Sequence, residues 1–323
     1  MRDLRYDVTA LGELLVDFTE NGTSDQGNPL FEANPGGAPC NLLAMLSKLG
    51  RRTAFLGKVG DDALGHMLSS RVAAAGIDIS ALRYSADVHT TLAMVHTLPD
   101  GDRDFSFYRN PGADLMLQTD EVDMEKIACS RIFHFGTLST TSEPAKSATY
   151  NAVMYAKRSG CLISFDPNLR LPLWSSKDAA KEQIAYGISQ CDILKISDNE
   201  IEFMTGEKDI CSGVSSLLEQ WKVPLVLATM GQEGSRAFYH GSSIFAPSFY
   251  MPNTIETTGA GDTFGGCALH FVLKYGLYNL DEAKLAEMLM FANAAAALVT
   301  TRRGALSVMP STEEIFSLVN AAR

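Results

Sequence analysis

Residues 257–266 read Thr-Thr-Gly-Ala-Gly-Asp-Thr-Phe-Gly-Gly, a glycine-rich turn that leads into a helix. The helix is predicted from apolar residues at helical spacing: Phe264, Ala268, Phe271, Val272 and Tyr275. Backbone N–H groups at a helix start and the helix dipole attract anions, and glycine lets an anion come close. Asp262 could take a proton from a nucleophile attacking near that anion. The turn therefore predicts phosphoryl transfer, which depends mainly on positioning and charge stabilisation.

A plain structural explanation of the same turn stays open, because Asp is common near helix N-termini. The turn matches neither common nucleotide motif. The chain has no Gly-x-x-x-x-Gly-Lys-Ser/Thr run, and the spacing Gly259-x-Gly261-x-x-Phe264 lacks the last glycine of a dinucleotide loop. The first strand also has no dinucleotide glycine loop, which disfavours an NAD-dependent oxidoreductase.

The composition indicates a globular chain of 323 residues, with 46% hydrophobic and 20% charged residues. This length predicts one large α/β domain, with or without a small appendage. The net charge of −11 argues against nucleic acid and anionic membranes as partners. Six scattered cysteines form no C-x-x-C pair, as is typical of free thiols in a reducing compartment. Because neither a signal-peptide core nor an apolar run of ~20 residues is found, we expect a cytoplasmic protein.

Strand and helix patterns alternate along most of the chain, which predicts a parallel sheet covered on both faces. Strands are expected at 8–16, 53–59, 132–135, 161–165, 193–196 and 225–228. Helices are expected after the Pro-Gly-Gly-Ala-Pro run at 35–39 and at 64–75, 145–157, 177–188, 200–204, 264–275 and 285–300. A polar stretch at 21–28 reads as loop.

A β-hairpin interrupts this alternation, with strands at 90–98 and 105–109 around the turn Pro-Asp-Gly-Asp at 99–102. A hairpin inserted in a βα series suggests a lid over a site. A surface hairpin, or one that pairs with a second subunit, would give the same pattern.

Polar residues follow three predicted strands at the point where each strand ends. They are Asp166 to Arg170, Ser197 to Glu202, and Thr229 to Gly234. Ligands of parallel sheets bind beyond the carboxyl ends of the strands, so these loops should share an edge with the turn at 259–262. Glu202 could there orient a hydrated Mg²⁺ near phosphates. Each loop alone would also fit a helix cap or a turn.

Together these residues resemble the ribokinase-like, or PfkB, family of sugar and nucleoside kinases over essentially the whole chain. The two glycine signatures carry the likeness, at Gly36-Gly37 and at Gly259 to Asp262. The run Asp-Pro-Asn-Leu-Arg-Leu-Pro-Leu-Trp at 166–174 is the most specific match, and it looks closest to the fructokinase branch. Phe107 to Pro111 with Ala113-Asp114, and Ile196 to Glu202, match as well.

The resemblance implies a three-layer ribokinase-like α/β fold with a mainly parallel central sheet and a small β-sheet lid. The chain would be one domain, 1–323, with the lid inserted at about 13–35 and 88–111. It implies an ATP-dependent fructokinase that makes fructose 6-phosphate, with Asp262 as general base and Gly259, Ala260 and Gly261 as anion hole. Sugar contacts are expected from Asp17, Gly36, Gly37, Asn41, Phe107, Arg109 and Arg170. Nucleotide contacts are expected from Asn199, Thr229, Gly231, Gly234 and Asn293, with Glu202 near Mg²⁺ through water.

The resemblance also implies a monovalent cation site, for K⁺, formed by Glu256, Thr258 and the loop from Arg302 to Gly304. Many relatives have Asp where this chain has Glu256, which is one methylene longer. Open alternatives are a kinase of ribose, of 2-keto-3-deoxygluconate or of a nucleoside, and an inactive sugar-binding or sensing protein. Pairing of exposed lids would make a homodimer.

Overall fold

A computed structural model of the chain describes residues 4–97 and 103–322. Its strands are β1 (Tyr6–Leu11), β2 (Leu15–Thr23), β3 (Pro29–Gly36), β4 (Thr53–Gly60), β5 (Ile77–Asp78), β6 (Leu82–Ser85), β7 (Leu92–Thr97), β8 (Arg103–Tyr108), β9 (Ser130–Gly136), β10 (Leu162–Asp166), β11 (Ile193–Ser197), β12 (Leu225–Thr229), β13 (Gly234–Tyr239) and β14 (Ser242–Pro247). Its α-helices are α1 (Ala38–Lys48), α2 (Ala63–Ala74), α3 (Met124–Ala128), α4 (Ala145–Arg158), α5 (Lys177–Gln190), α6 (Asp198–Thr205), α7 (Ile210–Gln220), α8 (Ala260–Tyr275), α9 (Glu282–Val299) and α10 (Thr312–Ala321).

The large sheet has the strand order β14-β13-β12-β11-β10-β9-β1-β4-β5, with β6 also pairing with β4. All pairs from β12 to β5 are parallel, which confirms the predicted mainly parallel sheet. The antiparallel hairpin β13–β14 at one edge was not predicted. Its outer strand is mostly exposed, so its sequence lacks the continuous apolar run that marks the buried strands.

A separate four-stranded sheet has the order β3-β2-β7-β8. The predicted hairpin forms β7 and β8, with Ala93 opposite Phe107, while its turn at 99–102 lies outside the described residues. The single strand expected at 8–16 is in fact two strands, since β1 belongs to the large sheet and β2 to the small one. The loop predicted at 21–28 begins later than expected, because β2 continues to Thr23.

Helices cover both faces of the large sheet, as the strand–helix alternation predicts. One buried cluster joins the sheet to α1, α8, α9 and α10, and includes Leu43, Phe264 and Leu289. The other joins the opposite face to helices α4 to α7, and includes Phe135 and Phe165. In the described part of the chain, no helix combines the length and apolar character that crossing a membrane requires.

The parallel strands bring their carboxyl ends to one edge of the large sheet. Asp166 ends β10, Ser197 ends β11 and Thr229 ends β12, with Ser197 and Thr229 directly paired. Helices α1 and α8, packed side by side on one face, both begin at glycines near this edge. The candidate site lies where these termini meet.

Candidate active site

Helix α8 begins at Gly259, whose φ of +77° is accessible mainly to glycine. A Cβ at this position would also lie 2.3 Å from the Cβ of Ala305, so the turn has no room for a side chain. The amide of Thr263 donates to the carbonyl of Gly259 at 2.8 Å and closes the first turn. The amides of Gly261 and Asp262 occupy positions where a helix supplies no acceptor of its own. Both residues line the same cavity, so the turn can bind an anion there.

The carboxylate of Asp262 is held by the side chain of Asn41, whose Nδ2 donates to Oδ2 at 2.8 Å. Asn41 is 3% exposed and lies in the first turn of α1. Burial raises the pKa of Asp262 to about 6; Asn41, Lys195 and Arg170 lower it, while Asp166 raises it further. A carboxylate with this pKa is ionised at neutral pH and still basic enough to accept a proton.

The start of α1 depends on two glycines that leave room for neighbouring polar groups. Gly37 has a φ of +123°, and a Cβ there would lie 2.5 Å from the carbonyl oxygen of Glu13. A Cβ on Gly36 would lie 2.4 Å from Oδ2 of Asp17. The Glu13 side chain accepts a hydrogen bond from the amide of Ala38 at 2.9 Å. Glycine at 36 therefore lets the Asp17 carboxylate lie against the backbone beside the helix start.

One cavity of about 810 Å³ lies between the small sheet, the carboxyl ends of strands in the large sheet, and the starts of α1 and α8. Most of the predicted site residues line it: Asp17, Gly37, Asn41, Phe107, Arg170, Thr229, Gly231, Gly234, Glu256, Thr258, Gly259, Ala260, Gly261, Asp262 and Asn293. The structure thus brings to one cavity the residues predicted to bind the sugar, those predicted to bind the nucleotide, and the predicted general base Asp262. Its volume is within the range of small-molecule sites.

Arg109 is not brought to the cavity wall, in contrast to the expectation of a sugar contact. Its guanidinium is buried, with Nε 2.8 Å from Oδ2 of Asp114, and it also donates to the carbonyl of Leu138 and to Thr141. Because these partners engage the whole planar fork, the arrangement favours a structural role. Gly36 likewise lies behind the wall, where it supports Asp17.

Four other predicted residues also lie off the wall of the cavity in the described part of the chain. Asn199 and Glu202 are exposed on α6, although Asp198 and Glu200 of the same helix line the cavity. The Arg302 side chain donates to the carbonyl of Val308 and pairs with Glu314 of α10. Gly304 donates its amide to Oε1 of Glu256 at 2.7 Å, so Glu256 joins the two loops expected around the monovalent cation.

Asn293 reaches the cavity, but its side-chain amide is already engaged. Its Nδ2 donates to the carbonyls of Ala246 and Pro247, each at 3.0 Å, and its Oδ1 accepts from Ser235 at 2.8 Å. These bonds tie α9 to the β13–β14 hairpin. Asn293 therefore shapes the wall of the cavity, and its contact with the nucleotide stays a prediction.

Lys195 is the main cavity residue that the sequence analysis missed. It lies in β11, and its Nζ is 3.1 Å from Oδ2 of Asp166. The available signal was a single lysine in the otherwise apolar run at 193–196. Glu13 was also missed as a wall residue, whereas Asn168 and Glu200 belong to stretches that were expected at this edge without a role of their own.

Known proteins resemble this chain in sequence and in overall structure. "Probable fructokinase-2" of Arabidopsis thaliana is 40% identical over 317 residues, which cover 97% of this chain and 95% of that protein. The crystal structure of fructokinase with bound ATP from Xylella fastidiosa has a TM-score of 0.89 at 26% identity, with 100% of this chain and 99% of that one covered. Fructokinase from Vibrio cholerae O395, in a fructose, ADP and calcium ion bound form, has a TM-score of 0.86 at 27% identity, with 97% and 99% covered.

The predicted fold and family are both confirmed by these likenesses, since the solved relatives share the α/β architecture over the full chain. The family model described as "pfkB family carbohydrate kinase" matches residues 6–312 of the chain. The chain belongs to the pfkB family of carbohydrate kinases.

Proposed function

We propose that this chain is an ATP-dependent fructokinase, which transfers the γ-phosphoryl group of ATP to D-fructose and forms D-fructose 6-phosphate. The observation that carries the proposal is the contact between Asn41 and Asp262 at the start of α8. It sets a carboxylate beside backbone donors in one cavity large enough for two small ligands. Relatives that are 40% identical over 97% of this chain are named as fructokinases, which supports fructose as the acceptor.

The sugar would bind between the small sheet and α1. Asp17 and Phe107 come from the small sheet and Asn41 from α1, and all three line the cavity. The Oδ1 atom of Asn41 is buried and has no hydrogen-bond partner among the described residues. A buried acceptor of this kind is costly unless a donor reaches it, and a sugar hydroxyl is a suitable donor. Arg170, also at the wall, could bind a sugar oxygen or the transferred phosphoryl group.

The nucleotide would bind beyond β12, against Thr229, Gly231 and Gly234. Gly231 has a φ of +52° and Gly234 of +126°, so this turn needs glycine and brings bare backbone to the cavity. Mg²⁺ that accompanies ATP would neutralise phosphate charge during transfer. Asp198 lines the cavity and Glu202 lies four residues later on the same helix, so both offer carboxylate oxygens on one face of α6. Asn199, which follows Asp198 in the chain, would contact the nucleotide.

In this mechanism Asp262 accepts the proton of the fructose hydroxyl as its oxygen attacks the γ-phosphorus. The amides of Gly261 and Asp262, with the dipole of α8, stabilise negative charge on the transferred group. Asn41 orients the base. The small sheet acts as a lid, which would exclude water as a competing acceptor.

Three further properties belong to the same proposal. A monovalent cation such as K⁺ would bind near Glu256 and Thr258, because Glu256 links this loop to Gly304. Leu30 and Tyr108 of the small sheet are 48% and 63% exposed, which supports a homodimer paired through the lids. A cytoplasmic location stays a prediction from the sequence.

The proposal is tested by coupling ADP release to a spectrophotometric assay, with fructose, ribose, 2-keto-3-deoxygluconate and adenosine as acceptors. Fructose should give the highest kcat/KM. A preference for another acceptor would make the chain a different kinase of the same chemistry. If none of the acceptors releases ADP, the chain is a binding or sensing protein instead.

The role of Asp262 has its own test. Asp262→Asn should lower kcat by about 10²–10⁴-fold, the usual contribution of a general base. Fructose affinity, measured by calorimetry, should change little, because the amide keeps the shape of the side chain. Near-wild-type turnover by this variant would contradict the assignment.

A further inference from the structure

Lys195 places a positive charge beneath the start of α8. In β11 its neighbours Leu194 and Ile196 are buried in the cluster on the side of α4 to α7. Because strand residues alternate, Lys195 points to the other face, toward α8. Its side chain is 14% exposed and lines the cavity. Lysine is rarely this buried without a functional or ionic partner.

The ammonium group lies beside the predicted anion hole. A Cβ built on Gly261 would be only 3.0 Å from Nζ of Lys195, so the lysine nearly touches the first turn of the helix. A helix N-terminus carries partial positive charge, which disfavours a cation at this end. Asp166 balances part of that charge, with its two carboxylate oxygens 3.1 and 3.4 Å from Nζ. A cation at this end of a helix is best explained by an anion that both groups bind.

The charge of the cavity also requires a cation at this point. Carboxylates predominate at its wall: Glu13, Asp17, Asp198, Glu200, Glu256 and Asp262. The cationic side chains among the described wall residues are Arg170, which is exposed, and Lys195. Burial lowers the pKa of Lys195, but Asp166, Glu200 and Asp262 raise it by more, so the ammonium stays charged. Without it, a polyphosphate would meet an almost wholly acidic wall.

We propose that Lys195 is a catalytic residue whose Nζ binds a non-bridging oxygen of the phosphoryl group during transfer, which rests on the proposed kinase function. The acceptor oxygen forms a bond to the γ-phosphorus, while the bond from that phosphorus to the β–γ bridging oxygen breaks and its electron pair leaves with ADP. The acceptor proton goes to Asp262. Lys195 transfers nothing, and it stabilises the charge on the equatorial oxygens together with the amides of α8. Asp166 holds the lysine in this position.

The test separates this catalytic role from a purely structural ion pair. Lys195→Met removes the ammonium but leaves Asp166 buried without its partner, so the variant could also lose stability. The double variant Lys195→Met with Asp166→Asn removes both charges. Lys58→Met is the matched control, because Lys58 is a lysine of similar burial that pairs with Glu121, at 2.6 Å, away from the cavity wall. Thermal midpoints and kcat with saturating fructose and MgATP are measured for all four proteins.

Both Lys195 variants should lose about 10²–10³-fold in kcat, as removal of one oxyanion donor usually does. The double variant should regain the thermal midpoint that the single variant loses, without regaining kcat. Lys58→Met should lose thermal stability and keep its kcat. Recovery of kcat in the double variant to near wild type would overturn the proposal, since only the ion pair would then matter.

A binding experiment tests Lys195 without any acceptor. Wild type should bind AMP-PNP, which carries a γ-phosphoryl group that ADP lacks, more tightly than ADP in the presence of Mg²⁺. The double variant should bind ADP as wild type does and lose the preference for AMP-PNP. An unchanged preference would refute the role of Lys195. If wild type fails to phosphorylate fructose, the proposed function is wrong, and this comparison still decides whether Lys195 binds the terminal phosphoryl group.

Discussion

The contact between Asn41 and Asp262 makes a quantitative prediction about the pH dependence of catalysis. The base must be ionised to accept a proton, and the pKa of Asp262 is about 6 in the free protein. The kcat/KM for fructose should therefore fall on the acid side with a midpoint near that pH. Asn41→Ala removes a hydrogen bond to the charged form, so the midpoint should move to higher pH.

The size of this shift follows from the bond that is lost. A hydrogen bond to a charged group contributes roughly 1.5–3 kcal/mol, and one pKa unit corresponds to about 1.4 kcal/mol. Water that enters the space left by the Asn41 side chain recovers part of the bond. We therefore expect a shift of about one unit, to a midpoint near pH 7. At pH 6 the value of kcat/KM relative to each protein's own plateau would be about half for wild type and about a tenth for the variant, a difference of about fivefold.

The assay is kcat/KM for fructose at saturating MgATP from pH 5 to 9, with each profile normalised to its own plateau. Comparison of the variant with wild type cancels the effect of bound nucleotide on the midpoint. Asn151→Ala serves as control, because Asn151 is exposed on α4 and its Nδ2 donates to the carbonyl of Ser147 within the same helix. Its midpoint should match wild type. A midpoint of Asn41→Ala that stays in place, or moves to lower pH, would refute the reasoning.

Three further predictions concern stability and the sugar site. Burial raises the pKa of Asp262 from 3.8 to about 6, so the stability present below the lower value is lost as pH rises through the upper one. At pH 7.5 Asp262→Asn should then have a free energy of unfolding up to about 3 kcal/mol higher than wild type, measured by denaturant unfolding, with no gain at pH 3.5. Gly36→Ala should raise the KM for fructose by about ten- to a hundredfold, because its Cβ would displace the carboxylate of Asp17 by more than an ångström; an unchanged KM would exclude Asp17 from the sugar site. Arg109→Gln should lower the free energy of unfolding by about 3–5 kcal/mol through the loss of the buried pair with Asp114, with little effect on the KM for fructose. A large rise in that KM, with stability unchanged, would restore the sugar contact first expected for Arg109.

Much of this architecture could be predicted because the relevant signals are local. Short apolar runs separated by helical patterns are enough to predict a parallel sheet, and its chirality and strand ends then bring polar loops to one edge. The turn at 257–266 predicts an anion site because glycine and Asp262 act within one helical turn. The outer hairpin β13–β14 was missed because exposed strands lack a continuous apolar pattern.

Other parts of the site depend on contacts between distant residues, which local patterns do not report. Asn41 and Asp262 are 221 positions apart, and only the packing of α1 on α8 brings them together. Arg109 was expected to contact the sugar, but its guanidinium pairs with Asp114, whose position is set by the path of the following loop. Lys195 has the sequence context of an ordinary strand residue, because no local pattern reports that its Nζ lies beside Gly261 at the start of α8.

The junction between β1 and β2 has a mechanical consequence for this kinase. Only Gly12, Glu13 and Leu14 separate a strand of the large sheet from a strand of the small one. Along this connection, a tilt of the small sheet relative to the large one would have to be absorbed within these three residues. Glu13 also holds the first amide of α1, so such a tilt pulls directly on the helix that carries Asn41. A movement of the small sheet would in this way be transmitted through α1 to the side chain that contacts Asp262.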